Sequence, residues 1–199
     1  MKSLHRPDLY TWSQFDADRN VDFHSVLWVR PEGNLVVDPL PLGEHDEKHL
    51  RALGGAAWIV ITNSDHTRAA EALRAKTAAR VAGPAGERET FPIPCDQWLS
   101  DGEELVAGLE IIAIEGSKTP GELALVLEGS TLITGDLVRA HRAGSLMMLP
   151  TAKLADLASA QRSVARLAAR TEIETVLVGD GWSVFHGGHA ALKALVAAG

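Results

Sequence analysis

Short apolar runs separated by polar turns dominate the hydrophobic pattern of this chain. Runs rich in β-branched and aliphatic residues predict strands at residues 25–30, 34–38, 57–62, 80–84, 109–114, 123–127, 131–134 and 175–179. Segments with helical spacing or an alanine-rich composition predict helices at residues 43–53, 67–79, 154–169 and 188–198. This order favours an α/β fold of two sheets packed on each other with helices outside, rather than a purely parallel sheet.

Nothing in the pattern divides the chain into parts. Residues 1–199 contain no internal repeat, low-complexity tract or linker-like segment, so we predict a single domain. One apolar run, residues 146–150, falls outside the predicted elements. We place this run in a loop, where it would serve as a lid, as a subunit contact or simply as part of the core.

The composition is that of a globular domain and excludes several classes of protein. Lys and Arg number 19 and Asp and Glu number 26, and the resulting net charge of −7 argues against non-specific binding to nucleic acid. No apolar run reaches the roughly 18 residues that span a bilayer. Cys95 is the single cysteine, which excludes an internal disulfide and a multi-cysteine zinc site. Because residues 1–8 are polar and unlike a signal peptide, we predict a cytoplasmic protein.

Ionisable side chains collect where the predicted strands end. Asp65 and His66, then Asp136, then Asp180 each follow a predicted strand, and Asp38 ends another. Loops beyond strand ends are the usual place for functional sites, because a rigid sheet holds them. Each carboxylate taken alone is better explained as a helix cap or a turn residue, so the argument depends on the whole set.

Five short motifs, in this order, resemble those of the metallo-β-lactamase-fold superfamily over almost the whole chain. They are Val37-Asp38, Thr62-Asn63-Ser64-Asp65-His66, Lys118-Thr119-Pro120-Gly121, Thr134-Gly135-Asp136 and Gly179-Asp180-Gly181. The resemblance implies an αβ/βα four-layer sandwich, with two mixed β-sheets packed face to face and helices outside. It also implies a metal site at one edge of the two sheets.

The chain departs from the superfamily's pattern at the metal ligands. The superfamily usually shows Thr-His-x-His-x-Asp-His after its third main strand, whereas the shortened motif from Thr62 to His66 lacks both leading histidines. Lys118 stands where a ligand histidine is expected, and Asp180 replaces the histidine of the final Gly-His-Gly. The bridging aspartate is retained as Asp136. The resemblance therefore implies a reduced site with at most one metal ion.

The retained residues match the superfamily's second metal position. By the resemblance, Asp65, His66, Asp136 and Asp180 would hold one divalent ion, and such an oxygen-rich set suits Zn, Mn or Fe(II). Lys118 would replace the charge of the first metal and pair with Asp136, and Asp65 and Lys118 are the candidate catalytic residues. The same residues also fit a site with no metal, in which Lys118 pairs with Asp136 or Asp180.

Three residues near the last motifs are candidates for substrate binding. Arg139 and His141 follow Asp136 in a stretch that would line the mouth of the pocket, where Arg139 and Arg142 would be available to an anionic substrate. Trp182 follows Asp180 and would form a wall of the pocket. A solvated basic loop and ordinary core packing are the alternatives for these residues.

Two functions follow from these expectations. The first is a metal-dependent hydrolase, in which a metal-activated water attacks an ester, thioester, amide or phosphoester of a small-molecule substrate. The alternative is a metal-free pseudoenzyme of the same fold that binds a small ligand or a partner. Neither nucleic acid nor a membrane is expected as a partner, and the sequence leaves open whether the chain forms a homo-oligomer.

Overall fold

Two main β-sheets form the centre of this chain, of which the computed structural model describes residues 1–198. The strands are β1 (Lys2–Ser3), β2 (Leu9–Asp16), β3 (Val21–Trp28), β4 (Leu35–Val37), β5 (Trp58–Val60), β6 (Arg80–Pro84), β7 (Gln97–Leu99), β8 (Leu109–Ala113), β9 (Leu123–Leu127), β10 (Thr131–Thr134), β11 (Val138–Arg142), β12 (Ser145–Met148) and β13 (Thr175–Val178). The α-helices in this described part are α1 (Glu44–Ala52), α2 (Ala70–Thr77), α3 (Leu157–Ala168) and α4 (Gly188–Ala198).

Both main sheets are mixed. The first has seven strands in the order β1 to β7, antiparallel from β1 to β4 and parallel from β4 to β7. The second has four strands in the order β13-β10-β9-β8, with β13 parallel to β10 and the other pairs antiparallel. Strands β11 and β12 pair with each other as a separate hairpin.

Three apolar clusters hold the layers together. Alternate residues of a strand point to opposite faces of its sheet, so Leu35 and Val37 of β4 enter the cluster between the sheets. Val36 points the other way and packs in the cluster beneath α1 and α2. On the far side of the second sheet, Val126 and Val176 pack in a cluster with residues of α3 and α4. The result is the predicted four-layer sandwich, with two helices outside each sheet.

The structure corrects the predicted strands at β2 and at residues 146–150. Strand β2 was not predicted, because its side chains are only partly covered after Leu9 and Trp12, so its pattern is not that of a buried strand. Residues 146–150 were predicted to form a loop, and this was wrong for most of the run, because residues 145–148 form β12. Strand β12 pairs with β11 across a short turn that contains Gly144, whose φ is +75°.

Two of the predicted helices begin later than their composition indicates. The helix predicted from residue 67 begins at Ala70, because Arg68 has a φ of +38° and breaks the helical backbone before it. The helix predicted from residue 154 begins at Leu157, where the Asp156 side chain accepts a hydrogen bond from the Ser159 N–H at 2.7 Å.

The two sheets are joined at one edge by backbone hydrogen bonds. The Leu123 N–H at the start of β9 donates to the Thr62 carbonyl beyond β5, at 2.7 Å. The His24 N–H in β3 donates to the Gly179 carbonyl beyond β13, at 2.9 Å. The loops that follow β4, β5, β10 and β13 therefore meet at this edge, and their positions are fixed by both sheets. No helix within residues 1–198 is both long and apolar enough to cross a membrane.

Candidate functional site

A buried Asp–His pair lies at the edge where the two sheets meet. Asp38 follows β4 with a φ of +48°, and its Oδ2 atom lies 2.8 Å from His66 Nδ1. Thr62 fixes the carboxylate by donating its N–H to Oδ1 at 2.8 Å and its hydroxyl to Oδ2 at 2.6 Å. Burial alone lowers the pKa of His66, but the Asp38 and Asp136 carboxylates outweigh it and raise the pKa to about 9. The ring is therefore protonated on both nitrogens and positively charged at neutral pH.

Asp136 lies at the centre of the cluster and has several cationic neighbours. It follows β10 and is almost fully buried, with Oδ1 lying 3.7 Å from His66 Nε2. Its Oδ2 atom lies 3.1 Å from Lys118 Nζ and accepts a hydrogen bond from the Asn63 side-chain amide at 3.2 Å. Burial acts to raise the pKa of Asp136, but His66 and Lys118 outweigh it and hold the pKa well below its usual range. Asp136 is therefore ionised at neutral pH.

Arg139 bridges two of the carboxylates. Its side chain projects from β11, and Nη2 donates to Asp136 Oδ1 at 3.2 Å and to Asp180 Oδ2. Only 11% of the Arg139 side chain is exposed, so the bridge is shielded from solvent. Asp180 follows β13, and its other oxygen, Oδ1, is buried without a hydrogen-bond partner and lies 4.0 Å from Arg68 Nη2.

Lys118 joins the cluster to its more exposed neighbour, Asp65. The Lys118 ammonium lies 2.6 Å from Asp65 Oδ2, so it bridges Asp65 and Asp136. Its partial burial acts to lower the pKa of Lys118, but these two carboxylates prevail and raise the pKa above its usual value. Asp65 itself lies in the middle of a short 3-10 turn, Ser64–His66, whose N-cap is Asn63, because the Asn63 side-chain oxygen accepts the Asp65 N–H at 3.0 Å.

Glu122 is a further buried carboxyl group, close to Asp136. It accepts hydrogen bonds from the Leu137 N–H at 2.8 Å and from the Ser117 hydroxyl. Burial and the nearby charge of Asp136 raise the pKa of Glu122 to about 7, although both hydrogen bonds act in the opposite direction. Glu122 thus holds the backbone beside Asp136 and carries at most part of a negative charge at neutral pH.

The cluster forms part of the wall of a cavity of about 850 Å³. Strands β2 and β3 contribute apolar side chains that include Phe15 and Phe23. The cavity is also lined by five Lys or Arg residues and four aspartates, and the basic residues are Arg19, Arg68, Lys118, Arg139 and Lys153. Positive charge therefore slightly exceeds negative charge in this cavity, in a chain whose net charge is −7. A volume of this size suits a small organic molecule.

The structure brings together most of the residues predicted for the site. His66, Asp136 and Asp180 each offer a ligand atom, and these atoms lie within 4.8 Å of one another. Asp65 is not part of this group, but it lines the same cavity and meets Asp136 through Lys118. The ion pair expected between Lys118 and Asp136 is present.

The predicted substrate-binding residues have different surroundings from one another. Arg139 and His141 line the cavity, although the Arg139 side chain is already bonded to two carboxylates. Trp182 is not among the cavity-lining residues and is 61% exposed. Its backbone N–H donates to the Ala140 carbonyl at 2.7 Å, which holds the segment after Asp180 against β11.

Sequence reasoning missed two contributors to the site. Arg68 was not among the predicted site residues, yet its guanidinium donates to the carbonyls of His24 and Asp38 and lines the cavity. Its positive φ interrupts the helix that was predicted from residue 67, and nothing in the sequence predicts that backbone conformation. Glu122 follows the Pro120-Gly121 turn and looks in sequence like an ordinary surface residue before a strand.

The residues of the cluster do not fit a divalent metal ion as they are arranged. Both oxygens of Asp136 are bonded to cationic or amide groups, and Asp180 Oδ2 is bonded to Arg139. The pKa of His66 is raised to about 9, so a metal ion that bound its imidazole would have to displace the second ring proton. Around these groups, four cationic side chains face four carboxylates: His66, Arg68, Lys118 and Arg139 against Asp38, Asp65, Asp136 and Asp180. The carboxylates are thus neutralised by protein groups.

Comparison with known proteins places the chain in a family. The family model of the metallo-β-lactamase superfamily matches residues 1–199. The hydroxyacylglutathione hydrolase of Cereibacter sphaeroides is 36% identical over 107 residues, and the aligned segment covers 49% of this chain but only 41% of that relative.

Solved structures show the same fold at low sequence identity. A metallo-β-lactamase from Pontibacter korlensis superposes with a TM-score of 0.75 at 18% identity, over 98% of this chain and 97% of that one. A protein solved in a di-iron-bound form superposes with a TM-score of 0.69 at 19% identity, over 92% of this chain and 98% of that one. On the match over its whole length, this chain belongs to the metallo-β-lactamase superfamily.

Proposed function

We propose that this member of the superfamily binds a small organic anion in the 850 Å³ cavity, without a metal ion. The observation that carries the proposal is the position of two cations. Arg139 bridges Asp136 and Asp180, and Lys118 bridges Asp65 and Asp136, so protein groups neutralise the carboxylates that would otherwise hold a metal. The predicted alternative, a metal-free binding protein of this fold, is therefore favoured.

Unused hydrogen-bond donors on the basic residues support an anionic ligand. Arg68 spends Nη1 on two backbone carbonyls, and its Nη2 lies 4.0 Å from Asp180, which is beyond hydrogen-bond distance. Lys118 keeps 31% of its side chain exposed, so its ammonium can be reached from the cavity. Guanidinium and ammonium groups bind carboxylates and phosphates through charge-assisted hydrogen bonds.

The similarity to a curated enzyme supports the same class of ligand. That relative is a hydrolase of hydroxyacylglutathione, which is itself a small organic anion because glutathione carries carboxylates. For this chain we propose only the ligand class, with Arg68, Lys118 and Arg139 providing its charge recognition. Asp65 then positions the Lys118 ammonium at the cavity wall.

A metal-dependent hydrolase is the second candidate, and one observation favours it. Asp180 Oδ1 has no hydrogen-bond partner, and His66, Asp136 and Asp180 offer three ligand atoms within 4.8 Å of one another. One Zn, Mn or Fe ion would be held by these residues only after Arg139 releases both carboxylates and the His66 ring loses one of its two protons. Such an ion would supply Lewis-acid chemistry for hydrolysis.

Thermal unfolding with added ligands distinguishes the two candidates, since a ligand that binds only the native state raises its stability. The probes are butanoate and inorganic phosphate as anions, and Zn²⁺ and Mn²⁺ as metals. We expect an anion to raise the Tm of the wild type and EDTA to have no effect. We expect Lys118→Gln and Arg68→Gln to lose most of the anion response, and Lys48→Gln, an exposed change outside the cavity, to keep it.

The opposite pattern would overturn the proposal. If Zn²⁺ or Mn²⁺ raised the Tm at stoichiometric concentration, EDTA reversed the rise and anions had no effect, the metal-dependent hydrolase would be supported instead. An equal anion response in Lys118→Gln, Arg68→Gln and Lys48→Gln would show that binding occurs outside this cavity.

A further inference from the structure

We infer that the ligand carries two anionic groups joined by an apolar spacer, and that Lys153 and His141 at the rim of the cavity recognise the second group. This inference rests on the proposed function and extends it from an anion to a dianion. It depends on how charge is distributed within the cavity. Its floor is formed by the buried residues Asp136, Arg139 and Asp180 with Arg68 and Lys118 beside them, and its rim by the exposed residues His141 and Lys153.

The floor of the cavity leaves few donors free for an anionic group. Its cations are matched by carboxylates, so only the spare N–H groups of the basic residues attract a ligand there. Arg68 Nη2 has no partner within hydrogen-bond distance, and the Lys118 ammonium has one N–H more than the two carboxylates it bridges. Arg139 Nε also lacks a partner, but that atom is shielded from solvent. We therefore assign one anionic group of the ligand to the floor, and the second to cations elsewhere in the cavity.

The rim carries positive charge without a matching carboxylate. Lys153 lines the cavity and is exposed, and no acidic group within residues 1–198 lies close enough to form an ion pair with it. Arg19, which also lines the cavity, is instead paired with Asp16 at 3.8 Å. His141 also lines the cavity from the exposed end of β11, and its imidazole ring offers a hydrogen-bond donor.

The backbone fixes the position of Lys153. The residue ends a 3-10 turn that runs from Thr151, and its N–H donates to the Pro150 carbonyl at 2.8 Å. Leu149, which precedes Pro150, is buried, and its N–H donates to the Leu137 carbonyl, also at 2.8 Å. Lys153 is therefore presented from a segment anchored next to Asp136, rather than from a free loop.

Apolar side chains line the space between floor and rim. Phe15 and Phe23 form part of one wall, and Leu149 and Pro150 form part of the wall that leads to Lys153. A ligand that is polar along its whole length would leave these apolar groups exposed to water, whereas a ligand with an apolar spacer would cover them. Phe15 is 57% exposed, so its ring is available for such a contact.

Isothermal titration with matched acids tests this inference. Adipate and hexanoate have the same number of carbons and differ in one carboxylate, and succinate and butanoate form a shorter pair. We expect the wild type to bind the dicarboxylate of at least one pair about threefold to fivefold more tightly, which is the effect of one exposed charge pair. We expect Lys153→Gln to remove this preference and to leave monocarboxylate binding unchanged.

Lys48→Gln is the matched control, because it removes the same charge from a residue of α1 that does not line the cavity. The inference is overturned if the wild type binds both members of each pair equally, or if Lys153→Gln behaves like Lys48→Gln. Binding of neither acid of any pair, with phosphate also without effect, would overturn the proposed function together with this inference. Equal binding of both acids would leave the proposed function standing.

Discussion

Replacing Asp38 by Asn removes the charge that faces His66 while keeping the shape of the side chain. The backbone at residue 38 has a φ of +48°, a conformation that Asn adopts more readily than most residues, so the substitution should not strain the chain. The Asn side-chain oxygen can still accept the Thr62 N–H, which bonds to Asp38 at 2.8 Å. The bond from His66 Nδ1 and the bond from the Thr62 hydroxyl lose their charged acceptor.

The size of the effect follows from the pKa of His66. The pKa rises from 6.5 to about 9 on folding, so the protonated imidazole contributes about 3 kcal/mol to the free energy of unfolding. A raised pKa means that this contribution is complete below pH 6.5 and is lost as the pH rises through 9. Asp38 supplies much of it, and the weakened Thr62 bond adds about 1 kcal/mol at every pH. We therefore expect Asp38→Asn to be destabilised by up to about 4 kcal/mol at pH 6 and by about 1 kcal/mol at pH 9.5.

Urea unfolding followed by tryptophan fluorescence at pH 6, 7.5 and 9.5 measures this difference. His66→Gln should show the same loss of pH dependence, because it removes the titrating group. His45→Gln changes an exposed histidine of α1 and should keep the wild-type profile. A difference between Asp38→Asn and the wild type that stayed constant from pH 6 to 9.5 would refute the reasoning, since a purely structural loss does not titrate.

Three further predictions concern the surroundings of the site. Arg139→Ala frees the two carboxylates that the arginine bridges, so at pH 7.5 a small molar excess of Zn²⁺ should raise the Tm of the variant by roughly 5–10 °C but not that of the wild type. An equal rise in both proteins would contradict this. Glu122→Gln removes a carboxyl group whose pKa rises on folding to about 7, so the wild type should lose stability between pH 4.5 and 7 whereas the variant should not. In urea unfolding above pH 7, the variant should therefore be more stable than the wild type by up to about 3 kcal/mol. Gly181→Ala should lower the free energy of unfolding in urea by about 3 kcal/mol or more, because the φ of +92° disfavours Ala and the new Cβ would overlap the Ala140 carbonyl. Gly43→Ala is the control and should lower it far less, because the space around Gly43 is open.

The sequence predicted the fold well where both faces of a strand are buried. Strands such as β9 and β13 are fully buried, so their continuous apolar runs were unambiguous. Strand β2 was missed because it lies at the cavity, where side chains such as Gln14 and Phe15 have little protein to pack against. An incomplete apolar pattern is the expected result of lining a cavity rather than a core.

For the site, the sequence indicated the strand ends but not the partners of each charge. Asp136 and Asp180 were predicted to converge because each follows a strand, and they do. The bridge between them was not predicted, because Arg139 lies on the β11–β12 hairpin, and its direction depends on how that hairpin packs against the loop after β13. Arg139 was expected at the mouth of the pocket, where it would meet substrate, and its bonds to the two aspartates show a role that spacing alone does not reveal.

The central claim is that Arg139 and Lys118, rather than a metal ion, neutralise the carboxylates of this site. A high-resolution crystal structure of the wild type, grown without chelator and soaked in Zn²⁺ at neutral pH, tests it through the anomalous signal near Asp136 and Asp180. The account predicts guanidinium density between the two aspartates, ammonium density beside Asp136 and no anomalous peak in contact with either carboxylate. An anomalous peak coordinated by His66, Asp136 and Asp180, with the Arg139 side chain displaced, would contradict it.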